Sequence, residues 1–284
     1  NVTAQASGVA VGFGKEVIPA PMLSEGWGFG SSDAAGIIGV DVDRIVVNNN
    51  TVNVSGTGAV GGFAFQGQAP KAAGEAVASA WNSTLGIGVG GSESPSITGN
   101  RVSANGTVRT DVFAESLGGD AALAQVVVDA TGIMAANVPS ARIANNRLSV
   151  SGVGSLAPRD LGKKPVEEVR QCHIEVFATG IELVGSFKAD VVGNIMTGTP
   201  GVLAAANCET PLVKTTEEPT IAHPEVVGVT EADAAGIWVA GAPGSHVNNN
   251  QMAVSANGAA ITRAMPIQPG PKPVGGDVIA VNLS

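Results

Sequence analysis

Few residues in this 284-residue sequence have both the type and the spacing for chemistry. Asp41 and Asp43 form an Asp-x-Asp pair that one strand would project from a single face, as a general acid and base require. Arg142, Asp190 and His246 each stand ten residues after a glycine that opens a Gly-Ile dipeptide. If those dipeptides mark equivalent places in a repeat, the three side chains form one column that could polarise a sugar or hold an anion. The plainer reading is a cross-strand ion pair beside a solvated histidine. Two residues after the same glycines come Ile38, Gly88, Met134, Glu182 and Trp238. An outward Trp238, with Trp81 and Glu182, gives the candidates for binding a sugar ring by stacking and hydrogen bonding.

Metal and cofactor chemistry has little to draw on. Cys172 and Cys208 are the only thiols, too few for a four-cysteine zinc site, and their pairing as one disulfide is left open beside two separate buried thiols. The glycine-rich calcium nonapeptide and the Gly-x-x-x-x-Gly-Lys phosphate loop are both missing from the sequence. No metal and no cofactor is therefore expected.

The elements that must position these side chains follow from a repeat. Gly-Ile recurs at Gly36, Gly86, Gly132, Gly180 and Gly236, at intervals of 50, 46, 48 and 56 residues. Fourteen residues after each Gly stands an Asn: Asn50, Asn100, Asn146, Asn194 and Asn250. Apolar or small residues hold offsets +1, +11, +16 and +18 in all five copies, Gly198 being the fourth at +18. The alternation from +14 to +18 is a strand pattern, and helical periodicity is absent. Identical residue types at one offset suit a stack of parallel strands about 4.8 Å apart, where equal offsets lie above one another. The five Asn would form a hydrogen-bonded ladder at a corner and tolerate left-handed backbone there. Pro95, Pro139 and Pro243 put a further corner between the Gly-Ile strand and the Asn. Asp41 and Asp43 fall at that corner, which favours a solvated turn.

This combination resembles the right-handed parallel β-helix repeat of the pectin-lyase-like superfamily. The resemblance covers residues 36 to about 258 and implies an all-β solenoid of at least five coils with long loops on one corner. Coils of that family take about half the length of these repeats. The segments 61–85, 107–131, 153–179 and 199–235 are accordingly read as loops walling one side, with Val126–Val128, Ile174–Phe177 and Val226–Val229 as the preceding strand of each coil. Hidden second coils are the alternative. A β-propeller with blades near 45 residues competes, but needs no Asn column. The family's enzymes carry clustered aspartates with a Gly-His-Gly, or calcium-binding aspartates with an arginine; neither pattern occurs here.

Composition narrows the partners. A formal net charge of −9 argues against nucleic acid. Mean hydropathy is +0.25, yet no run approaches 18 apolar residues, so no helical membrane span is expected. Only 14% of residues are charged and none is Tyr. The domain reading is an N-terminal flank or cap at 1–35, β-helix repeats at 36–258 and a C-terminal flank or cap at 259–284. The start at Asn1 reads as a processed chain or a fragment.

The expected function is a non-enzymatic structural or recognition module of a surface-exposed, secreted or phage-like appendage protein. Its place would be extracellular or on a cell or virion surface, and its partner a carbohydrate or a protein. The alternatives are a polysaccharide lyase or glycoside hydrolase, and a component of a phage tail or contractile injection assembly that self-associates through its end coils.

Overall fold

A computed structural model describes residues 2–16, 24–66, 74–115, 120–156, 171–197, 201–209, 213–214, 226–261, 264–265 and 278–283. These residues form strands and connections with no helix, and every strand pairing is parallel.

Each repeat contributes to three sheets in turn. Sheet B holds the Gly-Ile strands β2 (Ser24–Val40), β5 (Gly74–Gly90), β8 (Asp120–Ala136), β11 (Gln171–Val184) and β16 (Val226–Ala240), and ends on β21 (Val278–Leu283). Sheet C holds the short strands β3 (Val46–Asn48), β6 (Ser96–Thr98), β9 (Arg142–Ala144), β12 (Asp190–Val192) and β17 (His246–Asn248). Sheet A begins with β1 (Val2–Glu16) and continues through β4 (Thr51–Gln66), β7 (Arg101–Glu115) and β10 (Arg147–Leu156). It is completed by the split strands β13 (Ile195–Met196) with β14 (Val202–Glu209), and β18 (Gln251–Met252) with β19 (Val254–Ile261). A small pair, β15 (Val213–Lys214) with β20 (Ala264–Met265), stands apart. The chain thus passes B to C to A, and each strand pairs with its equivalent one repeat away.

The repeat is long because its strands are long, which corrects two expectations. Val126–Val128, Ile174–Phe177 and Val226–Val229 belong to the same strands as the following Gly-Ile, not to preceding ones. Most of 61–85 and 107–131, and much of the other two segments, is likewise strand rather than loop. Among the described residues, no second coil lies between the modules. The wall of long loops would occupy residues outside those described, as would the cluster from Arg159 to Arg170 and the prolines from Pro266 to Pro273.

Burial follows the strand period. In β10 the inward residues are Leu148, Val150, Gly152, Gly154 and Leu156, alternating with outward ones. Glycines enter this pattern because the opposite sheet fills their space: a Cβ on Gly56 would lie 2.7 Å from the Thr84 hydroxyl. In β11 the alternation breaks at Gly180-Ile181, where two consecutive residues are buried. The Gly-Ile dipeptide is a bulge repeated in every full sheet B strand, and the register skips its Gly. A Cβ on Gly132 would meet the Gly180 carbonyl oxygen at 2.6 Å, so the stacked bulge excludes any larger residue. Ile87, Ile133 and Ile181 then fill the interior with Ile97, Ile143, Val191 and Val150.

The corner Asn form the expected ladder. The Asn100 Nδ2 donates to Asn146 Oδ1 at 3.0 Å, Asn146 to Asn194 at 2.9 Å, and Asn194 to Asn250 at 2.9 Å. The second Nδ2 hydrogen of each donates to a carbonyl one repeat back, Ile97 O for Asn146 at 2.9 Å. The Asn100 N–H also donates to Asn146 Oδ1, so a fully buried amide uses all its hydrogen-bonding capacity. Left-handed backbone, however, belongs to the preceding residue: Asn49, Gly99, Asn145, Gly193 and Asn249 have φ of 54°, 67°, 54°, 66° and 54°. Ladder and turn are duties of two neighbouring residues, not one.

The fourth repeat departs from the pattern. Val150 pairs with Val202, not Gly198, and Val150 N–H donates to Gly201 O at 2.9 Å. Four extra residues therefore lie between Met196 and Gly201, and the +18 slot belongs to Val202. Gly198 itself is outside the described residues.

Cys172 on β11 and Cys208 on β14 are joined by a disulfide with their Cα atoms 6.2 Å apart. Both are buried, and the bond links sheets B and A through the interior. In register beside Cys172 stand only Ala124 and Gly228, which leave space for the sulfurs.

Candidate functional site: a carboxyl pair on the outer face of sheet B

The bulge at Gly-Ile decides which residues of sheet B face outward. Before it, outward residues fall at offsets −5, −3 and −1; after it, at +2. The −3 column reads Asp33, Ser83, Asp129, Phe177 and Asp233, in register across five strands. The +2 column reads Ile38, Gly88, Met134, Glu182 and Trp238, as the sequence reading expected.

Asp129 and Glu182 come from neighbouring strands, and Thr131 stands between them. The Thr131 hydroxyl donates to Asp129 Oδ1 at 3.4 Å and is also hydrogen-bonded to Glu182. Burial pushes the Asp129 carboxyl up, against the opposing effect of Thr131. Burial likewise raises Glu182, and the nearby negative charge of Asp129 raises it further. One hydroxyl has one proton to donate, so it cannot satisfy two carboxylates at once. The arrangement suits holding a proton where it can be given to, or taken from, a bound group.

Glu182 also pairs in register with Trp238, which is 47% exposed. Trp81, 57% exposed, lies on β5, three strands from Trp238. The +2 column is not a continuous apolar stripe: Gly88 is covered by Leu85, and Glu182 interrupts it. On the same face His173 Nε2 contacts Glu175 Oε1 at 2.8 Å.

The other sequence candidates lie elsewhere. Arg142, Asp190 and His246 are neighbours in register on sheet C, and all three are exposed. Among the described residues they form no ion pair and are not joined to the sheet B carboxyls. Asp41 and Asp43 are exposed at the corner between sheets B and C, with Asp41 at φ 53°. Asp129 and Thr131 were absent from the sequence candidates. Their signal was present: three of five residues at offset −3 are Asp.

No described group of His, Cys, Asp and Glu could hold a metal ion. Among the described residues, no helix is long and apolar enough to cross a membrane. The fold and site define an all-β protein of stacked parallel sheets carrying a carboxyl pair beside an exposed tryptophan. No family model, curated protein or solved structure matches the chain.

Proposed function

We propose that the chain is a right-handed parallel β-helix of the pectin-lyase-like kind, acting as a non-enzymatic recognition module on a surface-exposed, secreted or phage-like appendage protein. The observation that carries this reading is the unbroken Asn ladder through five repeats, which makes a rigid support for the outward face of sheet B. Trp238 beside Glu182 gives that face an aromatic plate and an acceptor, the pairing that a sugar ring with its hydroxyls requires. The internal disulfide supports an oxidising compartment, consistent with an extracellular or virion-surface location.

A second reading is a glycoside hydrolase or polysaccharide lyase, favoured by the raised carboxyl pair of Asp129 and Glu182. A third is assembly end to end, favoured by Val239, Val247 and Met252 of the last repeat, which stand exposed at offsets buried in the middle repeats.

Screening neutral and acidic oligosaccharides for both binding and depolymerisation separates the first two. The recognition reading expects binding weakened by Trp238→Ala without turnover. Turnover abolished by Asp129→Asn or Glu182→Gln would establish the hydrolytic reading instead. A strictly monomeric mass across concentrations would remove the third.

A further inference from the structure

Sheet A carries a separate surface with different chemistry. The residue after each ladder Asn points outward, and the column reads Thr51, Arg101, Arg147, Ile195 and Gln251 in register. With Ser103 and its neighbours this column lines an open groove of about 570 Å³, within the range of small-ligand sites. No Asp or Glu lines it. Among the described residues, neither arginine forms an ion pair.

Arg101 and Arg147 are direct register partners on strands about 4.8 Å apart, a placement in which like charges repel. Neither is neutralised by an ion pair among the described residues, although the chain carries a net charge of −9. The backbone that carries the arginines is held from behind. Arg101 N–H donates to Asn50 O and Arg147 N–H to Asn100 O, both at 2.8 Å, and the ladder Asn100 and Asn146 next to them are fully buried. A pair of exposed cations on a rigid backbone, flanked by hydroxyls and with no carboxylate lining the groove, is complementary to an oxyanion with polar groups on either side.

We propose that this groove binds the carboxylate or sulfate group of an acidic glycan, held between Arg101 and Arg147, with adjoining sugar hydroxyls on Thr51, Ser103 and Gln251. A polynucleotide is disfavoured, because two cations on a strongly acidic chain cannot neutralise a run of phosphates. The inference does not depend on the sheet B face: Trp238→Ala leaves this groove intact.

The test is calorimetric titration of the whole chain at low salt with oligogalacturonate, a sulfated dextran oligosaccharide, neutral dextran and inorganic sulfate. The proposal expects an acidic oligosaccharide to bind and neutral dextran not to, with affinity falling as salt is added. Arg101→Gln/Arg147→Gln should weaken binding at least about tenfold, roughly 1.4 kcal/mol. The same variant should melt no lower than the parent, because it removes a repulsion. Three results would each overturn the proposal: no binding of either acidic oligosaccharide, equal binding by the double variant, or inorganic sulfate binding as tightly as the oligosaccharides.

Discussion

Glu182 and Asp129 lie on neighbouring strands of sheet B and share the hydroxyl of buried Thr131. Burial raises both carboxyls, and the Asp129 charge adds to the rise at Glu182. The native chain therefore binds more protons than the unfolded one just above the ordinary carboxylate range. Stability contributed by the pair is full below that range and is lost as pH rises through the raised values. Glu182→Gln removes one charge of the pair while keeping the side-chain shape. Its melting temperature should exceed the parent's at pH 7 and converge with it near pH 4, as followed by circular dichroism. A variant less stable than the parent at pH 7 would contradict the coupling.

The ladder gives a graded prediction. Asn146→Ala strands both Asn100 donors and removes the side-chain bonds to Ile97 O and Asn194 Oδ1, the latter keeping only the Asn146 backbone N–H. It should destabilise the chain by about 3–5 kcal/mol in denaturant unfolding. Asn50 is only half-buried at the first corner, and Asn50→Ala should cost about 1 kcal/mol. Equal costs at the two sites would argue against a continuous ladder.

The bulge glycines test the stacking distance itself. Gly132→Ala brings a Cβ to 2.6 Å from the Gly180 carbonyl oxygen and 2.9 Å from Leu148 and Val150 side chains. A loss of about 1–3 kcal/mol is expected. Gly90→Ala on the neighbouring strand meets nothing closer than 3.7 Å and should stay within about 0.5 kcal/mol of the parent. Both are read from the same denaturation curves.

The disulfide joins residues 36 apart in sequence and ties two sheets together. Closing a loop of that length is worth about 4 kcal/mol in the chain-entropy view. Cys172→Ala/Cys208→Ala should lose a substantial part of that stability. Adding reductant should lower the melting temperature of the parent and leave the variant unchanged.

Much of this fold is legible in the sequence where side chains stack on their own kind. The Asn and Ile columns mark corner and core because identical residues at a fixed offset have one use in a parallel stack. The far halves of the long strands are harder to read. Their inward positions carry Gly56, Gly106, Gly152 and Ala204, which give no apolar alternation although all four are buried. Thr84 and Asn82 fill the space opposite, and polar residues facing inward hide the pattern further. The four-residue insertion before Gly201 conceals Val202 at its slot for a simpler reason: offsets counted along the chain fail once the strand is split. The carboxyl pair escapes because Asp129 and Glu182 are equivalent neither in offset nor in repeat. Only the bulge, which shifts the alternation by one, brings both to the same face.

The central claim is that each repeat is one layer of a parallel stack at constant offset. Spin labels at Thr51 and Gln251 test it most directly, since the two outward-facing ends of one column lie four strand spacings apart. The stack predicts a single narrow distance near 19 Å between the backbones, before label length is added, and about half that for Thr51 with Arg147. A broad distribution, or distances that do not grow with the number of repeats between the labels, would contradict it.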